Sequence, residues 1–297
     1  MKLPLIFSAI LLLNAGTGFA QTQNTVIADS TAAAADSTAP RSTFTIGTSY
    51  ANNANYYGQK AEERTPYIAL LASYRHRSGF YLNGVAYRLL NDSSRLASAY
   101  NIAAGYEFKL SSAFSLDLGY SYTFYPKLSP FLQAANPHTA SLTLTHEKWM
   151  KSSITADYAF GKTNDFFVTA GFAKQIGLFN IGSKALVTFT PLLEATAGTQ
   201  HFYEYYTKEK KIRDSILGKI FELIPGNPRP QPGNGNTTVK SSTSFDLLSY
   251  NLKLPVAYNR SNLMLELSCQ FSLLGDKVEI DPGKLNTFIG ASFYYQF

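Results

Sequence analysis

The last thirteen residues, Leu285 to Phe297, read Leu-Asn-Thr-Phe-Ile-Gly-Ala-Ser-Phe-Tyr-Tyr-Gln-Phe. Alternate positions counted back from Phe297 are Tyr295, Phe293, Ala291 and Ile289, which are all apolar or aromatic. The other row is mixed and mostly small or polar. Because successive side chains of a β-strand point to opposite faces, the stretch predicts a strand with one apolar face and one more polar face.

The same alternation runs almost continuously from Ser42 onward and divides into about twelve strand-like segments. It is clearest in residues 96–110 and 114–124, and it recurs in a later pair at 248–258 and 263–273. An α-helix would group positions three and four apart and would scatter these rows, so a period of two fits better. The chain is therefore predicted to be all-β.

The links between these segments alternate in length. Tight turns are predicted at 76–79 and 111–113, near 149–151, near 176–178 and at 259–261. The links between them are longer, at 52–64, 91–95, 125–137, 161–165, 197–244 and 275–284. In an up-and-down arrangement every long link then falls at the same end. Greek-key crossovers in a soluble sandwich would not keep this parity.

Composition excludes several classes of protein. Charged residues make up 15% of the chain and aromatic residues 14%, yet no stretch after the N-terminal segment approaches the 18 or so apolar residues of a membrane helix. A barrel distributes its contact with lipid over many short alternating segments. The single cysteine, Cys269, allows neither an intrachain disulfide nor a multi-cysteine metal site. The formal net charge of +6 is only weak evidence for any partner.

The apolar terminal strand and the parity of the links resemble those of Gram-negative outer-membrane β-barrels. The resemblance implies a closed antiparallel up-and-down transmembrane barrel of about 12 strands in the outer membrane, with short periplasmic turns and long extracellular loops. It also implies that the barrel-assembly machinery reads Phe293, Tyr295 and Phe297 as an assembly signal. Outer-membrane lipids and lipopolysaccharide would surround the barrel.

The N-terminal segment matches export to that membrane. Lys2 precedes an apolar run at residues 3–13, and small residues at 18–20 suit cleavage, so residues 1–20 are predicted to be a signal peptide. Residues 21–41 have no periodicity and few large apolar side chains, and they are predicted to be a disordered periplasmic linker. The barrel itself is predicted to span residues 42–297.

The longest link, residues 197–244, is predicted to be an extracellular loop that contains a short helix. Residues 201–206 alternate and are expected to extend the preceding strand. Residues 210–224 place isoleucines at helical spacing, ended by Pro225-Gly226, and predict an amphipathic helix. This helix could constrict the barrel mouth, lie on the membrane or cap its own loop. Its basic residues could contact lipopolysaccharide phosphates.

Alternation also assigns the side chains that face the lumen. The predicted lining residues are Asn101, Asp157, Lys184, Asn251, Lys253, Glu266 and Gln270. Asp157, Lys184, Lys253 and Glu266 are expected nearest mid-depth, and Lys253 and Glu266 are expected to be neighbours across one hairpin. These groups could line a water-filled pore or form a polar network that fills a narrow barrel. The faces of residues 80–90 are not assigned, because Asn83 and Arg88 have opposite parity.

The leading hypothesis for function is a passive channel for small polar solutes. The alternative is a non-conducting barrel that anchors or docks other envelope proteins, and a lipid-modifying enzyme ranks below both. An enzyme would need a serine nucleophile beside a histidine at the outer rim, and only His138 is placed there. No motif for catalysis, metal or cofactor binding, or nucleic-acid binding is recognised in the sequence.

Overall fold

The computed structural model describes residues 10–12, 26–28, 41–92, 96–214 and 244–297. The first two of these segments form a short antiparallel pair, β1 (Ile10–Leu12) and β2 (Val26–Ala28). The rest of the predicted signal peptide and linker, at residues 1–41, lies outside the described residues apart from Arg41.

The remaining described residues form one antiparallel sheet of fifteen strands. Its strands are β3 (Thr43–Ala51), β4 (Tyr67–Arg75), β5 (Phe80–Leu89), β6 (Ala99–Lys109), β7 (Phe114–Phe124), β8 (His138–Glu147), β9 (Lys151–Phe160), β10 (Asn164–Ala173), β11 (Ile176–Ile181), β12 (Ala185–Phe189), β13 (Leu192–Gly198), β14 (Asp246–Lys253), β15 (Val256–Arg260), β16 (Leu263–Leu274) and β17 (Leu285–Gln296). A 3₁₀ turn spans Leu132–Ala135, and helix α1 spans Phe202–Asp214.

Twelve of these strands close into a barrel. Each strand pairs with the next along the chain, in the order β3 to β10, then β13, β14, β16 and β17. The barrel closes where β17 pairs with β3, from Gly290 opposite Ala51 to Gln296 opposite Thr45. The predicted closed up-and-down barrel of about twelve strands is confirmed, and its last strand is the C-terminal stretch that suggested it.

The other three strands, β11, β12 and β15, continue β10, β13 and β14 beyond short breaks. Two of the breaks contain Pro191 and Pro255, which have no backbone N–H to donate to a neighbouring strand. The breaks lie side by side, because Lys174 N donates to the Pro191 carbonyl and Thr190 N donates to the Pro255 carbonyl. The predicted tight turn near 176–178 is therefore wrong. The chain runs on through β11 and turns at Gly182, whose φ is +64°.

The outer surface of the barrel is apolar and the inner surface is polar. Outward side chains such as Leu70, Tyr100, Ile154 and Ile289 are exposed, while inward threonines, serines and asparagines are buried. A surface of this kind is stable only against hydrocarbon, and a closed barrel leaves no backbone group unpaired there. This is the architecture of an outer-membrane β-barrel. No helix among the described residues is long and apolar enough to cross a membrane.

Strand β5, whose faces the sequence left unassigned, follows the same rule. Tyr81, Asn83 and Tyr87 are buried and face inward, whereas Arg88 is exposed on the outer side. The Asn83 amide oxygen accepts a hydrogen bond from Ser73 on β4 at 2.6 Å. Arg88 lies next to the last residue of the strand, where a long cationic side chain can extend to water.

A first prediction tests the apolar exterior. Leu142 faces outward at the middle of β8 and is 43% exposed. We expect Leu142→Arg to lower the free energy of unfolding by about 2–4 kcal/mol, because a charge near the bilayer midplane is costly. Unfolding in phospholipid vesicles can be followed through the fluorescence of Trp149, the only tryptophan.

The matched control is Leu110→Arg, since Leu110 is exposed in the tight turn that follows β6. A charge at that depth should cost only about 0–1 kcal/mol. Equal losses at the two positions would contradict the assigned lipid-facing belt.

Candidate functional site: the lumen and its extracellular plug

The loop between β3 and β4, residues 52–66, folds into the barrel and is called the plug loop below. Its tip is a tight turn in which the backbones of Tyr56 and Gln59 exchange two hydrogen bonds of 2.8 and 3.0 Å. Tyr57 and Gly58, at the two central positions, have φ of +53° and +86°. This is a type I′ geometry, which favours glycine at the second position. A Cβ at residue 58 would also lie 2.5 Å from the Ser249 hydroxyl.

Hydrogen bonds tie the tip to three strands of the wall. The Tyr57 hydroxyl donates to Asp157 on β9 at 3.0 Å, and Ser249 on β14 donates to the Tyr57 carbonyl at 2.8 Å. Asn286 on β17 donates to the Gly58 carbonyl at 3.1 Å. Counted around the barrel from β3, strands β9 and β17 are the seventh and the twelfth, so they stand nearly opposite each other. The tip therefore crosses the lumen.

Aromatic packing covers the tip on the extracellular side. The Tyr57 ring stacks on Phe167 with centroids 3.8 Å apart, and the Tyr56 ring meets Phe202 edge-on at 4.8 Å. These rings join the 3₁₀ turn and helix α1 in one apolar cluster. Burial and the charge of Asp157 raise the pKa of Tyr57 well above its ordinary value, so its hydroxyl remains a hydrogen-bond donor. This cluster covers the plug tip at the end of the barrel that carries the long links.

Helix α1 is held over the mouth by Asp165, at the start of β10. The Asp165 carboxylate accepts hydrogen bonds from the backbone N–H groups of His201 at 2.7 Å and Phe202 at 2.9 Å. It also accepts from Thr199 Oγ1 at 2.7 Å and from Asn136 Nδ2 at 2.7 Å. A carboxylate in this position caps the free N–H groups of the first turn and opposes the positive end of the helix dipole.

The prediction that residues 201–206 extend a strand is therefore wrong. With the helix capped by Asp165, Phe202, Tyr203 and Tyr206 fall on one face and are buried in the mouth cluster. The helix predicted for 210–224 begins eight residues earlier than expected, and residues 215–224 lie outside the described part of the chain. The first turns of α1 pack at the mouth through Phe202, Tyr203 and Tyr206, and the position of the helix predicted for 210–224 stays a prediction.

Below the plug, six of the seven predicted lining residues lie on the inner wall. Asn101, Asp157, Asn251, Lys253, Glu266 and Gln270 are buried on inward faces. Asn101 Nδ2 donates to Thr123 at 2.8 Å, and Gln270 Nε2 donates to Asn251 at 3.1 Å. The mid-depth prediction is wrong for Lys184, which lies exposed in the turn between β11 and β12. The cause is the misplaced turn near 176–178.

The partner predicted for Lys253 is also wrong. Lys253 lies opposite Gln270 across the sheet, and its ammonium group forms an ion pair with Glu194 on β13 at 2.8 Å. The break at Leu254-Pro255 separates Lys253 from β15. Glu266 pairs in register with Ala257 on β15. Glu194 was not among the residues predicted to face the lumen. It is the only acidic residue of β13, and it lies on the same inward face as Thr196.

A second polar group lies toward the periplasmic end of the lumen. Arg75 on β4 forms an ion pair with Glu107 on β6 at 2.8 Å and lies over the Tyr81 ring at 5.2 Å. Tyr81 in turn donates a hydrogen bond to Asp117 on β7 at 2.9 Å. Gly105 and Gly119 make room for the Tyr81 hydroxyl, because a Cβ at either position would lie within 3 Å of it.

Several buried amide atoms that face the lumen have no hydrogen-bond partner among the described residues. They include both amide atoms of Gln59, Asn55 Nδ2, Gln270 Oε1 and Asn286 Oδ1. Buried polar atoms in folded proteins are nearly always bonded to protein or to water. Unpartnered amide atoms therefore lie on both the tip and the wall beside it.

The histidines make contacts that are structural in kind. Nδ1 of His138 lies 2.7 Å from the Tyr120 hydroxyl, and the His138 ring stacks on Phe160 at 5.0 Å. Nδ1 of His76 lies 2.9 Å from the hydroxyl of Ser78 within one turn, and His201 contacts the capping Asp165. No group of three or more His, Cys, Asp or Glu side chains in the described ranges could hold a metal ion.

Comparisons with known proteins return no family model and no curated protein that matches the chain. Among solved structures, a KdgM porin is similar with a TM-score of 0.48 and 11% identity, over 85% of this chain and 99% of that chain. A NanC porin gives a TM-score of 0.43 and 8% identity, over 85% and 98%. LpxR from Salmonella typhimurium gives 0.43 and 11%, over 84% and 99%. Likenesses this weak identify neither a family nor a function.

A second prediction tests the cap on helix α1. We expect Asp165→Ala to release the helix, because several buried donors lose their acceptor at about 1–3 kcal/mol each. If the free energy needed to release helix α1 falls by about 2 kcal/mol, trypsin should cleave at Lys208, Lys210 or Lys211 roughly thirtyfold faster. The cleavage rate of the purified barrel measures this.

Glu204→Ala is the control for this change. It removes an exposed pair with Lys208 one turn along the same helix, which contributes about 0.2–0.5 kcal/mol at most. Similar cleavage rates in the two variants would show that Asp165 does not hold the helix.

Proposed function

We propose that this barrel is a passive outer-membrane channel for small polar solutes and that the plug loop closes it in the conformation described above. The observation that carries the proposal is the set of unpartnered amide atoms on the tip and on the wall beside it. Such atoms are costly while the plug is seated, and they gain water as a partner when the tip leaves the wall. Small uncharged polar groups line much of the wall, and they suit solutes that exchange hydrogen bonds with water.

The plug is held in a way that permits opening. Three side-chain hydrogen bonds and an aromatic stack anchor its tip, and each hydrogen bond contributes only about 0.5–1.5 kcal/mol net. The wall, by contrast, is continuous antiparallel sheet. Opening the channel therefore requires movement of the plug loop and of the α1 rings packed on it, and no change in the barrel.

The second candidate is a barrel that never conducts and that docks other envelope proteins. The observation in its favour is the apolar cluster at the mouth, in which aromatic rings of the plug loop, β10 and α1 are buried against one another. We favour the channel because an apolar cap alone does not account for the unpartnered amides beneath it. We also propose that the barrel is not an enzyme, since the described histidines contact aromatic rings, a local turn or a helix cap.

The proposed assembly role of the last strand fits its exposure. Phe293, Tyr295 and Phe297 face outward and are accessible on the apolar side of β17. The barrel-assembly machinery could therefore reach all three before closure. Outer-membrane lipids are the partners proposed for the same outward face.

A third prediction tests the channel directly. Single-channel current across planar bilayers should be rare in the wild type, more frequent in Tyr57→Phe and most frequent in Tyr57→Ala. Tyr57→Phe loses the hydrogen bond to Asp157, which should favour the open state about fivefold if the bond contributes about 1 kcal/mol. Tyr57→Ala also loses the stacked ring, at about 3–5 kcal/mol.

The control is Tyr50→Phe, which removes a hydroxyl from an outward tyrosine near the same end of the barrel. It should conduct as the wild type does. If all four proteins remain silent, the channel is refuted and the docking barrel is favoured. If Tyr50→Phe and Tyr57→Phe open equally, the plug is not the gate.

A further inference from the structure

We propose that the lumen selects for small cations and that Glu266 is the residue that determines this preference. The inference rests on the proposed channel and specifies the class of solute. It depends on which charges of the lumen are already paired and which charge is left.

The inner wall is acidic, although the chain as a whole carries a net charge of +6. The inward-facing bases of the strands are Arg75, Lys109, Lys151 and Lys253. The inward-facing acids at the level of the plug tip and below it are Glu107, Asp117, Glu147, Asp157, Glu194 and Glu266. Because the acids outnumber the bases, the excess positive charge of the chain lies elsewhere, and a cation entering the lumen meets a negative wall.

Most of these buried charges are compensated by the protein. Six charged side chains in the described residues are buried: Asp157, Asp165, Glu194, Glu209, Lys253 and Glu266. Lys253 and Glu194 form an ion pair, Asp157 accepts from Tyr57 and Ser141, and Asp165 caps helix α1. Glu209 also has a partner. Glu266 is the only one of the six with no hydrogen bond or ion pair to a described residue.

The side chain of Ser292, beside Glu266, also lacks a partner among the described residues. Ser292 on β17 lies directly opposite Glu266 in the register of the sheet. Ser292 is 7% exposed and Glu266 is 5% exposed, and both face the lumen. The Ser292 hydroxyl has no hydrogen-bond partner among the described residues. The two strands therefore present a carboxylate and a hydroxyl together, and neither is used by the protein.

The surroundings favour an external partner for Glu266 when its carboxylate is ionised. Ala257, Met264 and Tyr294 form an apolar cluster around this pair, with Leu71 packed against it. An ionised carboxylate is costly in such a place unless a positive charge or water compensates it. The Asn259 amide oxygen, on the neighbouring β15, is also unpartnered. Carboxylate, hydroxyl and amide oxygens are ligands for hard cations such as alkali-metal ions.

The experiment measures the reversal potential across a KCl gradient in planar bilayers. It uses the full chain carrying Tyr57→Ala, the variant expected to open most often. We expect this open variant to prefer K⁺ over Cl⁻. Glu266→Gln in the same background should lower the K⁺/Cl⁻ permeability ratio by about fourfold. A unit negative charge roughly 10 Å from the ion path in water attracts K⁺ and repels Cl⁻ to the same extent, so both effects enter the ratio. The difference should shrink in 1 M salt, because salt screens the charge.

Two further variants sharpen the result. Glu279→Gln makes the same chemical change in the exposed loop 275–284, and it should lower the permeability ratio much less than Glu266→Gln does in the same KCl gradient, because solvent and salt screen an exposed charge. Ser292→Ala removes the neighbouring hydroxyl without a change of charge and should lower the ratio less than Glu266→Gln does. Glutamine is nearly isosteric with glutamate, and far-ultraviolet circular dichroism verifies that each variant forms the barrel.

The possible outcomes separate the two proposals. Silence of the open variant refutes the channel, and with it the basis of the inference. A conducting channel that prefers Cl⁻, or that shows no preference, refutes cation selection alone. A preference for K⁺ that survives Glu266→Gln unchanged refutes the assignment to Glu266 and would mean that this carboxylate holds a proton. A fall confined to Glu266→Gln and, to a smaller extent, Ser292→Ala supports the proposal.

Discussion

The structure depends on the hydrogen bonds between β17 and β3, because these bonds turn a twelve-stranded sheet into a cylinder. In a bilayer, an open sheet edge would leave a row of backbone N–H and C=O groups without water. Closure removes both edges at once. Closure also separates the two faces of the sheet. The apolar side chains then contact lipid on the outside, and the polar side chains face the lumen.

Inside the barrel, the polar side chains are satisfied in two different ways. At the level of Asn101 and Thr123, and of Lys253 and Glu194, neighbouring strands satisfy each other directly. At the level of the plug tip, backbone carbonyls of Tyr57 and Gly58 are the acceptors for wall side chains. The loop carbonyls therefore take the place of water as acceptors for side chains of the upper wall. This explains how a segment with few apolar residues remains inside the barrel.

Features with a period of two were predictable from the sequence, and features that join distant segments were not. Alternation predicted the strands, the barrel and the inward facing of six of the seven residues named for the lumen, because each depends only on position within a strand. The cap on helix α1 comes from Asp165, about 36 residues before the helix, and no local pattern reveals it. Likewise the partner of Lys253 depends on the break at Pro255, which divides the single strand predicted at 248–258 into β14 and β15.

At the mouth, apolar side chains are buried inside, as in a soluble protein. Along the wall, apolar side chains face outward and polar side chains face inward. Around the tip, aromatic rings of the plug loop, β10 and α1 pack inward against one another. This core can come apart without exposing a strand edge to lipid, because the plug loop and α1 can leave while the strands stay paired in the sheet. The chain has a single cysteine, so no internal disulfide can fix the loop in place. Low local stability is thus confined to the mouth, where a loop can move while the sheet below it stays closed.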